Sequence, residues 1–198
     1  LYIYPNTLKA LLLTGAEVRE WLEMSAGQFN QIDPNGAREQ PLINSAFAAF
    51  NFDTIDGVTY QLDLTQPAKY DEAGQLKQPN ANRVVQLSFA GKKIDDTAKF
   101  LVATNNYRAY GGGNFPGLSA EKVAIDAPEE NRQALIDYLS AQRTVNPSAD
   151  SNWRIRAIPG ISMTFSSASI AEKYLSKHPN IKKLRSGTDG SSVYCLVD

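Results

Sequence analysis

Phe100-Leu101-Val102-Ala103-Thr104-Asn105 and then Tyr107-Arg108-Ala109-Tyr110-Gly111-Gly112-Gly113-Asn114-Phe115-Pro116-Gly117 form the stretch on which the reading of this chain turns. The first run is short and apolar, bounded by turn-forming residues, which fits a buried strand. Three consecutive glycines follow. Without a Cβ they accept positive φ and let the backbone approach a ligand closely. Tyr107 therefore stands at a strand end beside a loop with little side-chain bulk, a setting that suits the face of a planar ligand such as a nucleobase. The plainer reading of the same residues is a glycine-rich turn with no ligand at all.

Working outward, Leu8 to Leu13 reads as a strand, and Thr14-Gly15-Ala16-Glu17 fits a capping box in which hydroxyl and carboxylate each satisfy a free backbone N–H. Val18, Trp21, Leu22 and Ser25 continue at helical spacing, which predicts a helix from about Ala16 to Ala26. Asp33-Pro34-Asn35-Gly36 is a turn. Val58, Tyr60, Leu62 and Leu64 alternate with polar residues as in a half-solvated strand. Residues 67–82 read as a loop. Arg83 to Phe89 and Phe100 to Asn105 flank Ala90-Gly91-Lys92 and a short connector, which suggests that they pair. Pro128 with Glu129 and Glu130 suits a helix start, with Leu135, Ile136 and Leu139 as that helix's apolar face. After a polar stretch from Thr144 to Asn152 come strands at Trp153 to Ile158 and Ile161 to Phe165, a helix near Ser169 to Lys177 and a closing strand at Ser192 to Val197. The fold class expected is α+β, a mixed β-sheet with packed helices.

The 198 residues suffice for a sizeable core, and 42% hydrophobic with 21% charged content is ordinary for a soluble globular domain. No apolar run approaches the roughly 20 residues of a membrane helix, so no membrane partner is expected. Twenty basic against 21 acidic residues give a net charge of −1, which disfavours a nucleic-acid polymer as partner. The basic cluster Lys173, Lys177, Lys182, Lys183 and Arg185 reads as a solvated helix face and turn. One cysteine, Cys195, excludes an internal disulfide and reads as a buried thiol in the terminal strand.

Catalytic signatures are missing. The single histidine, His178, precedes Pro179 in a polar turn, and there is no H-E-x-x-H, C-x-x-C or His/Asp cluster to hold a catalytic metal. The glycine run lacks the Lys-Ser or Lys-Thr of a P-loop. Asp53, Asp56 and Asp63 read as turn and strand-edge residues. What remains is binding. Tyr4-Pro5-Asn6-Thr7 sets a ring and an amide side by side before a strand, and Asn6 can offer donor and acceptor to a base edge. An Asx turn after Pro5 explains the same four residues equally well.

Tyr4-Pro5-Asn6-Thr7 through Leu13-Thr14-Gly15-Ala16-Glu17-Val18, Asp56-Gly57-Val58-Thr59-Tyr60, Phe100 to Asn105 and the Gly111-Gly112-Gly113 loop resemble the C-terminal domain of the 5′-nucleotidase family. Ser25-Ala26-Gly27-Gln28-Phe29-Asn30-Gln31-Ile32-Asp33-Pro34 and Asn105-Asn106-Tyr107-Arg108-Ala109-Tyr110-Gly111-Gly112 resemble its branch of periplasmic 2′,3′-cyclic-nucleotide 2′-phosphodiesterase/3′-nucleotidases. The resemblance runs from about Tyr2 to Phe165 and more loosely to the end.

That resemblance implies a nucleoside-binding domain over residues 1–150, incomplete at its N-terminal side, and an extension over residues 151–198 packed on the same domain. It implies a base gripped between Tyr4 and Tyr107, a base contact from Asn6, and a site completed by Gly111, Gly112, Gly113 and Phe52. The 5′-nucleotidases carry an acidic residue where this chain has Gly113, which suits tolerance of several bases. The implied partners are nucleoside 2′,3′-cyclic phosphates, 3′-nucleotides and a covalently linked N-terminal metallophosphatase domain holding two divalent metal ions. The segment alone is then expected to be inactive, a fragment of a larger enzyme. Two other classes stay open on the residues themselves: a non-catalytic nucleoside- or sugar-binding module, and an interaction domain whose aromatics are all core.

Overall fold

The computed structural model describes residues 2–142 and 144–197. In chain order the elements are β1 (Thr7–Thr14), α1 (Gly15–Ser25), β2 (Glu39–Pro41), β3 (Val58–Leu62), β4 (Val84–Phe89), β5 (Lys92–Lys93), β6 (Lys99–Asn105), α2 (Asn106–Ala109), β7 (Val123–Glu130), α3 (Asn131–Ala141), β8 (Trp153–Ile155), β9 (Ser162–Ala168), β10 (Ile181–Ser186) and β11 (Ser191–Leu196). A 3-10 helix covers Ser169–Lys177. The strands fall into three sheets, ordered β6-β1-β7, β10-β11-β9-β2 and β5-β4-β3-β8. This is the α+β class expected, with parallel pairs β2–β9 and β3–β8 among antiparallel ones.

β1 is the spine of the first sheet. Its odd positions Lys9, Leu11 and Leu13 are buried, and Leu11 and Leu13 pack with Val18, Trp21 and Met24 of α1 and with Phe100, Val102 and Val123. The strand alternation predicts that the even positions face away. Leu12, opposite Leu101 in the register, is indeed 46% exposed, and Leu101 57%. A second core gathers Leu22, Phe29, Val58, Leu62, Leu64, Val84 and Leu87. β8 and β9 pair with β3 and β2, so residues after 150 are woven into sheets begun earlier in the chain.

Arg83 ties the two halves of the second core. Its guanidinium donates to the carbonyls of Ala26 (2.8 Å), Phe29 (2.7 Å) and Gln66 (2.9 Å), while Glu23 accepts from the N–H of Arg83 and of Val84. Burial pushes the Arg83 pKa down to about 10, with Glu23 opposing, so the group stays charged at neutral pH.

The capping box at Thr14 and Glu17 is present in both directions. Burial raises the Glu17 pKa, but Lys122, followed by the Thr14 N–H and hydroxyl, outweighs it and holds the carboxyl below its ordinary 4.5. A depressed folded pKa means that this group's contribution is whole above the unfolded value and fades as pH falls through the folded one. Glu17→Gln is therefore expected to flatten the fall of Tm with acidification below about pH 4.5, the ordinary glutamate range. An acid limb with the same slope in the variant would remove Glu17 from the pH dependence.

Three expectations are corrected. Pro128 does not start a helix. It lies in β7, and α3 begins at Asn131. β7 is an edge strand, where proline's missing N–H costs no ladder bond. Nor do β4 and β6 pair: Ala90-Gly91 folds the chain from β4 back as β5, β4's other neighbour is β3, and β6 pairs with β1 in another sheet. Asp95 accepts from the Thr97 N–H and hydroxyl between them, and this turn redirects the chain. The basic cluster, finally, is only partly helical, because Ile181–Ser186 is strand β10 paired with β11. There Lys183 reaches Glu172 and Arg185 reaches Glu39. Cys195 is buried on β11, as expected.

Candidate functional site

The β1–β6 register sets Leu8 opposite Asn105. One residue on, the Thr7 N–H donates to the Asn106 side-chain oxygen at 3.1 Å. The segment Tyr4 to Asn6 thus leaves β1 at the end where α2 begins. Asn105 caps α2 by accepting from the Arg108 N–H at 2.8 Å.

Tyr107 is 48% exposed and Tyr4 62%. Neither is core, which does not fit the reading in which all these aromatics are core. The Tyr4 ring meets Tyr2 edge-on at 6.5 Å. Asn6 donates its amide to the Tyr2 hydroxyl at 3.0 Å, and its backbone carbonyl accepts from the Asn131 N–H. An Asx turn onto its own backbone is not among its bonds.

Each glycine of the loop has its own reason. A Cβ on Gly112 would stand 2.7 Å from both Cδ atoms of Tyr107, so the loop backbone lies against that ring. On Gly113, at φ +81°, a Cβ would stand 2.1 Å from Arg108 Nη1 and 2.4 Å from Asn51 Oδ1. Gly111 has φ +90°, a conformation that favours glycine. Phe52 is half-buried, its ring edge-on to Phe29 and Trp153 at 5.3 Å each. Its backbone is what it can give to a site.

Arg108 and Asp53 were missed by the sequence reading, which gave Asp53 a turn role. Arg108 is buried. Its Nε and Nη2 meet the two Asp53 carboxylate oxygens at 2.7 and 2.8 Å. The remaining donor capacity goes to Gly112 O (2.7 Å), Asn51 Oδ1 (3.1 Å) and Phe50 O (3.2 Å). The guanidinium also lies 4.2 Å over the Phe115 ring. Asp53 further accepts from Trp21 Nε1 at 2.9 Å. The only signal available was an arginine set among apolar and glycine residues. Asp56 and Asp63, by contrast, hold local turns through Gly57 and Thr65.

A cleft of about 650 Å³ opens between the Phe52–Asp56 loop and β6, with Arg108 and Asn105 at its rim. Tyr4, Tyr107 and the three glycines do not line it, so neither tyrosine is a wall of this cleft, whereas Phe52 is among its lining residues. Tyr110 turns its hydroxyl to Asp126 at 3.4 Å. Chiefly the Lys9 ammonium holds the Asp126 carboxyl below the usual range. Among the described residues no group of three or more His, Cys, Asp or Glu could hold a metal ion. No helix among them is long and apolar enough to cross a membrane.

Fold and local geometry together define an α+β domain whose exposed Tyr107 rests against a glycine loop. The chain belongs to the 5′-nucleotidase C-terminal domain family, whose pattern matches residues 1–120. It is 49% identical over 197 residues to the trifunctional nucleotide phosphoesterase protein YfkN of Bacillus subtilis, covering 99% of this chain and 14% of that one. It is 44% identical over 206 residues to the 2′,3′-cyclic-nucleotide 2′-phosphodiesterase/3′-nucleotidase of Haemophilus influenzae, covering 98% and 31%. A Staphylococcus aureus structure solved as a 5′-nucleotidase superposes with TM-score 0.61 at 28% identity, over 79% of this chain and 28% of that one. The chain thus spans less than a third of the length of these relatives.

Proposed function

We propose that this chain is the nucleoside-holding part of a phosphoesterase acting on nucleoside 2′,3′-cyclic phosphates and 3′-nucleotides. The observation that carries this reading is the Tyr107 ring, half exposed and backed by Gly112. The names of the 44–50% identical relatives support the substrate class. In this reading Tyr107 and Tyr4 flank the base, Asn6 offers its amide oxygen to the base edge, and Gly113 leaves that edge without a side-chain contact. Stacking is sequence-tolerant because every base has a π-face. Held there, the ribose phosphate is presented to a catalytic domain outside this chain, and binding energy becomes orientation.

Two divalent ions would belong to that separate N-terminal domain. Among the described residues no donor set fits them; in this reading the residues of this chain bind and orient, and the hydrolytic chemistry belongs to that other domain. Residues 151–198 act as an extension that supplies strands to the two sheets that do not contain β1. The place of action is the periplasm, in line with the branch the sequence resembles.

The test is titration of the chain with adenosine and 3′-AMP, followed by NMR. Tyr107→Ala is expected to raise Kd about tenfold, the equivalent of about 1.4 kcal/mol of lost stacking. Equal affinity in the variant would take Tyr107 out of the site.

A further inference from the structure

We propose that Arg108 is a positioning residue that makes Tyr107 a one-faced platform: by holding the Gly112 carbonyl inward, it lays the glycine loop along one face of the ring and leaves only the other for a ligand. The inference rests on the nucleoside reading above and adds to it a residue that would touch no ligand. Three observations carry it. The buried guanidinium reaches Gly112 O at 2.7 Å and, through Asp53, Asn51 and Phe50, anchors that carbonyl to a loop more than 50 residues away in sequence. The Gly112 backbone lies against the ring so closely that a Cβ would clash with both Cδ atoms. Gly113 has no side chain, and a Cβ there would collide with the guanidinium.

The physical consequence is preorganisation. A tyrosine at the start of a four-residue helix would otherwise sample several rotamers, and ordering it on ligand binding costs free energy. The Arg108 lock meets that cost during folding, so the free chain already shows the ring as a ligand would find it. The Tyr107 ring then offers a single face to the base. The lock uses backbone carbonyls, the Asn51 amide oxygen and a carboxylate, none of which faces a base. It is therefore indifferent to which base stacks.

The Gly112 Hα that points where a Cβ would stand lies over the Tyr107 ring, which gives a readout independent of any ligand. NMR of the chain, of Arg108→Met and of the pair Asp53→Asn/Arg108→Met, which avoids a stranded charge if the single variant unfolds, tests the lock. The expected result is loss of the upfield displacement of that Gly112 Hα, with core methyl resonances unchanged and adenosine Kd raised by up to about tenfold. Arg108→Lys, with one ammonium in place of the fork, is expected to restore little. A Gly112 Hα that keeps its displacement in the variants overturns the positioning role. Adenosine binding that is lost in Tyr107→Ala but unchanged in Arg108→Met also overturns it, while leaving the nucleoside reading intact. No binding by the parent chain overturns both the nucleoside reading and the ligand role given to Arg108.

Discussion

Arg83→Met is expected to cost the chain about 3 to 5 kcal/mol, the range seen when one member of a buried charged network is removed. The substituted side chain fills much of the same space but donates nothing. The carbonyls of Ala26, Phe29 and Gln66 would lose the bonds they now accept from it, at 2.7 to 2.9 Å, in a region where water cannot replace them. Glu23, whose carboxyl burial pushes up while the Val84 and Arg83 N–H groups pull it down, would lose its opposite charge as well. For a chain of this size the change corresponds to a fall in Tm of roughly 6 °C or more. Urea and thermal melts of the two proteins measure it. A Tm shift under about 2 °C would show that the network contributes little beyond its packing.

Asp53→Ala is expected to be nearly as damaging, about 3 kcal/mol or more, for a different reason. The deletion leaves the Arg108 guanidinium, only 6% exposed in its side chain, without the carboxylate that meets it at two points. It also strands Trp21 Nε1. Asp53→Asn keeps the shape and one acceptor, and should cost clearly less. Combining Asp53→Ala with Arg108→Met should cost less than the sum of the two single changes, because removing both partners leaves no unpaired buried charge. Strict additivity in that double-mutant cycle would mean that the pair is not coupled.

Much of the chain was readable where the determinants are local. The Thr14–Glu17 capping box lies within four residues, and its hydroxyl and carboxylate meet only backbone that they themselves bring into place, so α1 was legible. The apolar runs of β1 and β6 and the alternation of β3 state their burial directly in residue type. Tyr107 was legible as a candidate because it stands beside a glycine run, and Tyr4 because a ring and an amide lie side by side before a strand. Pro128 misled because its fixed φ suits both a helix start and an edge strand, and only the neighbour β1 decides between them. Ile181–Ser186 misled because its lysines and arginine read as solvated surface. Their partners Glu172 and Glu39 lie 11 and 146 residues away.

The sequence by itself settled the α+β class, the family and the local start of α1, since each depends on residue types in short, fixed spacing. The tertiary structure alone decided that the strands divide into three sheets, that Tyr4 and Tyr107 stand exposed outside the cleft, and that Arg108 joins Asp53 across 55 residues. The physical reason is one of range. Caps and periodicities are satisfied within a turn or two of the chain, whereas strand partners and buried ion pairs are chosen among all the surfaces that folding brings together.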